Sequence, residues 1–202
     1  MSLRIIVGPI LLGVALLSML GVPGCKDAAT NPSTIDTLET LTPNHVILTL
    51  TNIAYPADSV VAVYDDPDGS GSGAATIDTL RPASGVNYTG QLTFQFRGRL
   101  AGRTADTVLD LTPTYRRLGT KHQIFYTLDG PDAARTTITV TDRDTKNLPL
   151  GVATFFAVAP GGAGSATLHI QLGYYSDTAR PKDGTLAPYQ SDFDALFPVI
   201  LH

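Results

Sequence analysis

The sequence predicts an all-β fold, and three observations carry that prediction. Of the 18 acidic residues only Glu39 is a glutamate; aspartate suits turns through local side-chain to backbone hydrogen bonds, whereas glutamate suits helices. The chain is rich in Thr and Val, holds 19 Gly and 14 Pro, and has no long stretch of helical periodicity. Short apolar or alternating segments bounded by Gly, Pro and Asp recur instead, which is the pattern of strands and turns.

Those segments place strands at 45–52 (HVILTLTN), 58–64 (DSVVAVY), 74–80 (AATIDTL) and 91–98 (QLTFQFRG). Further strands are expected at 121–128 (KHQIFYTL), 135–142 (RTTITVTD), 151–158 (GVATFFAV), 164–174 (GSATLHIQLGY) and 194–201 (DALFPVIL). Between the two groups, TADTVLDL suits a short strand or one helical turn, and TPTYRRLGT reads as loop.

An internal repeat is legible. HVILT (His45 to Thr49) matches HQIFY (His122 to Tyr126), and each is followed by a strand that ends in an Asp-x-Asp loop, VVAVYDDPDG and TITVTDRDT. GAAT (Gly73 to Thr76) then matches GVAT (Gly151 to Thr154), and QLTFQFRG matches ATLHIQLG. Residues 45–98 and 122–173 thus read as two four-strand units. Four strands are too few for a sandwich, so two units facing each other are expected to share one core. The expectation is a single β-sandwich of eight to nine antiparallel strands, immunoglobulin-like or jelly-roll-like, with two small domains as the alternative.

The front of the chain carries an address. Met1 to Arg4 is a basic start, and Ile5 to Leu20 is apolar but interrupted by Gly8, Pro9 and Gly13. The run is short for a spanning helix of about 20 residues and suits a secretory signal. Val22-Pro23-Gly24-Cys25 follows and resembles the lipobox of bacterial lipoproteins, with Pro23 as a departure from the usual small or aliphatic residue. The resemblance implies cleavage after residue 24 and acylation of Cys25 on sulfur and amine, giving durable membrane anchoring. Because Cys25 is the single cysteine, no internal disulfide can form. Lys26-Asp27 resembles a minimal form of the export signal of surface lipoproteins of Bacteroidota, which favours the cell surface over the periplasmic face of the outer membrane and leaves both open. Residues 25–43, from Cys25 to Pro43, read as a tether, whose reach is roughly 25 Å, and 44–202 as the folded domain.

Net charge is −4, which excludes the counterion-replacing surface that nucleic acid requires. Arg97, Arg99 and Arg103 form the one basic patch and read as a solvated strand end.

Candidate chemistry is sparse. In YDDPDGSGSG, Asp66, Asp68 and Ser70 stand at positions one, three and five of a calcium-loop template, with Gly71 at six. Position twelve is Ile77 where a glutamate belongs, and DPDG is also an ordinary β-turn sequence. Calcium is therefore the one cofactor suggested, against a plain turn. In the paired loop DRDTKN, Lys146 replaces a ligand. The four histidines lack zinc spacing. His122 alternates with Ile124, Tyr126 and Leu128 and reads as a core histidine, while His169 reads as solvent-facing. The serine of G-x-S-x-G, phosphate cradles and dinucleotide motifs are missing, so no enzyme is expected. Asp192 and Asp194 sit two apart, as on the face of an exposed edge strand. Asp-(Ser/Thr)-aliphatic triplets, including Asp36-Thr37-Leu38, resemble the O-glycosylation signal of secreted Bacteroidota proteins, and Thr37 is the best placed.

KHQIFYTL, ITVTDRDTKNLPLGV and RPKDGTLAPYQSDFDALFPVIL, with VVAVYDDPDGSGSG in the first half, resemble a family of small Bacteroidota lipoproteins labelled type 1 periplasmic-binding-fold proteins. Family members sit beside TonB-dependent receptors, which implies an accessory role in uptake. Where the family is acidic, this chain has TADTVLDLTPTYRRLGT with two arginines. The label implies an α/β fold, whereas the residues predict β alone. The functional expectations are a lipid-anchored binding or receptor-accessory module, then a structural or adhesive surface domain, then a glycan-active enzyme. A concave aromatic patch near Tyr174 and Tyr175 discriminates in favour of the first.

Overall fold

In the computed structural model of this chain, the described residues are 38, 40–68, 75–176, 180–185 and 190–202. The signal segment, Cys25, Thr37 and Ser70 lie outside them. Among the described residues ten strands form: β1 (His45–Asn52), β2 (Ser59–Asp65), β3 (Thr76–Ile77), β4 (Asn87–Arg99), β5 (Asp106–Asp110), β6 (His122–Asp129), β7 (Thr136–Val140), β8 (Ala153–Val158), β9 (Gly164–Tyr174) and β10 (Gln190–Leu201). One short helix, α1 (Thr112–Arg117), precedes β6.

The strands make two antiparallel sheets. The larger has seven strands in the order β3-β2-β1-β4-β8-β7, with β5 added on β4, and the smaller has the order β10-β9-β6. β4 is long enough to serve three partners. β1 runs along one side, while on the other side residues 87–91 pair with β8 and residues 95–99 with β5. This is a β-sandwich-like arrangement with ten strands among the described residues rather than eight or nine.

Period-two alternation decides which faces meet. Val46, Leu48 and Leu50 of β1 and Phe193, Ala195, Phe197, Val199 and Leu201 of β10 are all buried and belong to one continuous core. The sheets lock through aromatic contacts. Phe193 of β10 meets Tyr64 of β2 at 5.0 Å and Phe94 of β4 at 6.0 Å, both edge to face. Tyr126 of β6 meets Phe156 of β8 at 6.3 Å. Edge-to-face rings add attraction beyond the area that they bury.

Both edges of the smaller sheet are tied to the larger one. Ile124 of β6 donates its N–H to the Leu150 carbonyl (2.7 Å), and Leu92 of β4 donates to the Val152 carbonyl (2.9 Å). Residues 150–152 therefore bridge the sheets. Opposite, Leu80 donates to the Pro198 carbonyl (2.8 Å) and accepts from the Ile200 N–H (2.9 Å). Proline is tolerated in β10 because its missing donor faces that outer edge and not the ladder to β9.

Several sequence expectations need correction. TPTYRRLGT is not all loop: Pro113 sits at the first helical turn of α1, and the Thr112 N–H is held by the Asp110 carboxylate at 2.9 Å. Six residues are too few to display a period. TADTVLDL resolves as strand β5. The strand expected over 74–80 shortens to β3, since the Asp78 carboxylate takes the Val63 N–H (3.1 Å) in place of a ladder carbonyl. The facing sheets are not one repeat unit each. The β1–β4 pairing has its counterpart in β6–β9, and β2–β3 in β7–β8, but β1 and β2 form a hairpin whereas β6 and β7 lie in different sheets. Asn52 closes the first connection by accepting the Ala54 and Tyr55 N–H groups. The second passes through Gly130, at φ 112°, and a 3-10 turn over Ala133–Arg135, which carries the chain across to the other sheet.

The C-terminal end of the stretch read as tether enters the fold. Leu38 and Leu41 pack against the core, and Pro43 is buried.

Candidate binding site

A cavity of about 440 Å³ opens at the end of the domain where residues 40–42 approach it. Its floor is His122, the first residue of β6. The strand's alternation turns His122 inward with Ile124, leaving the residue 5% exposed, as a core histidine should be. Its Nδ1 lies 3.2 Å from the Leu118 carbonyl, which can only accept, so Nδ1 carries the proton. Its Nε2 lies 3.3 Å from the Asp192 carboxylate. A histidine whose two nitrogens both face oxygen acceptors is held in one orientation.

Asp192 reaches it through a β-bulge. Ser191 pairs with Gly173 and Phe193 with Leu172, so Asp192 is the extra residue of β10. The bulge separates two aspartates expected to share a face. Asp192 turns to the cavity, and its other oxygen accepts from Gln190 at 3.1 Å. Asp194 stays outside, 2.6 Å from His169 Nε2. His45, likewise, is 2.6 Å from Asp65, the residue opposite it on β2.

Two tyrosines flank the histidine. Tyr115 of α1 meets its ring at 5.1 Å and donates its hydroxyl to the Leu41 carbonyl at 3.4 Å. Burial, reinforced by the Asp192 charge, pushes the Tyr115 hydroxyl well above the usual tyrosine range, so it stays a neutral donor. Tyr174 meets the ring at 5.5 Å and, with Lys121, lines the cavity. Tyr175 is not part of it: this side chain is buried and donates to the Thr185 carbonyl at 2.7 Å.

No family model, curated protein or solved structure matches this chain.

The proposed calcium loop begins elsewhere. Asp66 is buried and donates its backbone N–H to the Asn44 carbonyl at 2.8 Å, whereas Asp68 is exposed in a turn with Pro67. Burial first, then the charges of Asp66 and Asp68, raise the Tyr64 hydroxyl. Asp68 lines a shallow hollow with Arg97 and Arg99, so the acidic turn faces the basic strand end. Arg99 itself meets Asp106 at 3.5 Å with both side chains exposed. Among the described residues, no group of three or more His, Cys, Asp or Glu converges as metal ligands do.

The paired loop holds a cation of its own. Asp144 accepts the Lys146 and Leu148 N–H groups on one oxygen (2.8 and 2.9 Å) and Lys182 Nζ on the other (2.9 Å). Lys146 thus contributes its backbone, and the ammonium comes from 38 residues downstream. Of the other Asp-(Ser/Thr)-aliphatic triplets, Asp58-Ser59-Val60 places exposed Ser59 at the start of β2, and Asp177-Thr178-Ala179 lies outside the described residues.

Proposed function

We propose that this chain is a lipid-anchored binding module of the outer membrane, held at Cys25, that captures a small ligand and assists a TonB-dependent receptor in its uptake. The observation that carries the reading is the cavity at the tether end: a fixed His122–Asp192 pair beside the Tyr174 ring and Lys121. Convergent polar groups around an aromatic wall suit a polar ligand with one flat face. The same geometry favours binding over glycoside hydrolysis. Hydrolysis uses two carboxylates across the bond, and among the described lining residues Asp192 is the one carboxylate.

Two experiments test the reading. Cys25→Ser is expected to abolish fatty-acid labelling and release the chain from the membrane fraction; a labelled Cys25→Ser chain overturns the anchor. Tagged lipoprotein isolated from outer membranes is expected to bring a TonB-dependent receptor with it. Recovery of no receptor across detergents and growth conditions overturns the accessory role.

A further inference from the structure

Lys182 and Asp144 are 0% and 1% exposed, the most buried ion pair among the described residues. An ion pair so enclosed loses its hydration without certainty of recovering it, and replacing such pairs by apolar groups is often neutral or stabilising. A stability role therefore explains the pair poorly. Their surroundings resemble a reaction site more than a salt bridge.

We propose that Lys182 and Asp144 condense into an intramolecular amide, a self-catalysed cross-link between residues 180–185 and the loop after β7. Every group that the step needs is in place. Lys182 Nζ is 2.9 Å from Asp144 Oδ2, so one proton transfer along that hydrogen bond yields a neutral amine and a neutral acid. Desolvation favours the neutral amine at Lys182, against the opposing pull of Asp144. The amine lone pair attacks Cγ, forming the N–C bond while the carbonyl electrons move to Oδ1. That oxygen already faces the Lys146 and Leu148 N–H groups, two donors aimed where negative charge develops. Desolvation works against the ionised Asp144, but the Lys182 hydrogen bond and these N–H groups hold its carboxyl below the ordinary value.

Collapse of the intermediate restores the Cγ–Oδ1 double bond and breaks Cγ–Oδ2. Oδ2 leaves as water, carrying the acid proton and one proton from the nitrogen. That second proton passes within the intermediate, from the nitrogen to the departing oxygen bonded to the same carbon. One C–N bond forms, one C–O bond breaks, one water leaves, and no oxidant is consumed. The product is also fully hydrogen-bonded: Oδ1 keeps its two N–H donors, and the remaining N–H points to the Gly119 carbonyl, which already accepts from Nζ at 2.8 Å.

The test is the mass of the purified full chain, with Lys182→Arg and Asp144→Ala as references that carry the same lipid. Wild type is expected to be lighter than its composition by one water, and both variants to match theirs. A protease digest of wild type should yield one branched peptide that joins Lys182 to the Asp144 segment. Folded wild type at its full composition mass, with Lys182 recovered in a linear peptide, overturns the proposal. Should either reference variant fail to fold, the wild-type mass and digest decide alone.

Discussion

Single side chains decide how the chain enters the larger sheet. Asn44 accepts the Arg97 N–H at 2.7 Å and donates to the Arg97 carbonyl at 2.8 Å, so one amide completes β4 where its partner β1 has not yet begun. Asn44→Ala removes both bonds and is expected to cost about 2–3 kcal/mol, read as a lowered urea midpoint. Read as a turn, the loop that starts at Asp66 makes a melting temperature that EDTA leaves unchanged; a fall in EDTA assigns calcium to it. At this scale the sequence was only partly legible. The inward turn of His122 follows from alternation with Ile124, and it is buried. Its partner was hidden, because a bulge turns Asp192 away from Asp194 and no residue pattern announces the extra position. Lys182 and Asp144 are 38 residues apart in chain and meet only through the fold.

Strands with a clean apolar alternation were read to the residue: β1 at His45–Asn52 and β9 at Gly164–Tyr174 match the segments expected from sequence. Short elements were not, since β3 and α1 owe their form to neighbours rather than to their own composition. The clearest such dependence is the bridge at residues 150–152. Gly151 has φ 97°, and a Cβ there would sit 2.6 Å from the Ile124 carbonyl oxygen. That same glycine's carbonyl accepts the Tyr126 hydroxyl at 2.6 Å. Gly151→Ala would pull the bridge off β6 and is expected to destabilise the chain by more than about 3 kcal/mol, combining backbone strain with overpacking. Chemical denaturation of the variant measures it, and a loss below about 1 kcal/mol would show that the bridge gives way freely.

For the whole molecule, the two sheets hold together through a core that both share, with Phe193 touching Tyr64 and Phe94 across the gap. Phe193→Ala is expected to cost about 3–5 kcal/mol and to leave a cavity between the sheets; thermal melting followed by near-ultraviolet circular dichroism reads it. The position of β1 has a mechanical meaning. This strand is the one that residues 40–44 run into, and it lies between β2 and β4, paired with both over nearly its full length. Tension arriving from residues before Leu38 therefore pulls β1 along its axis. Both ladders carry that load side by side, so their bonds must yield together and cannot peel open one after another. A domain pulled from this side resists being drawn out more firmly than one pulled through an edge strand.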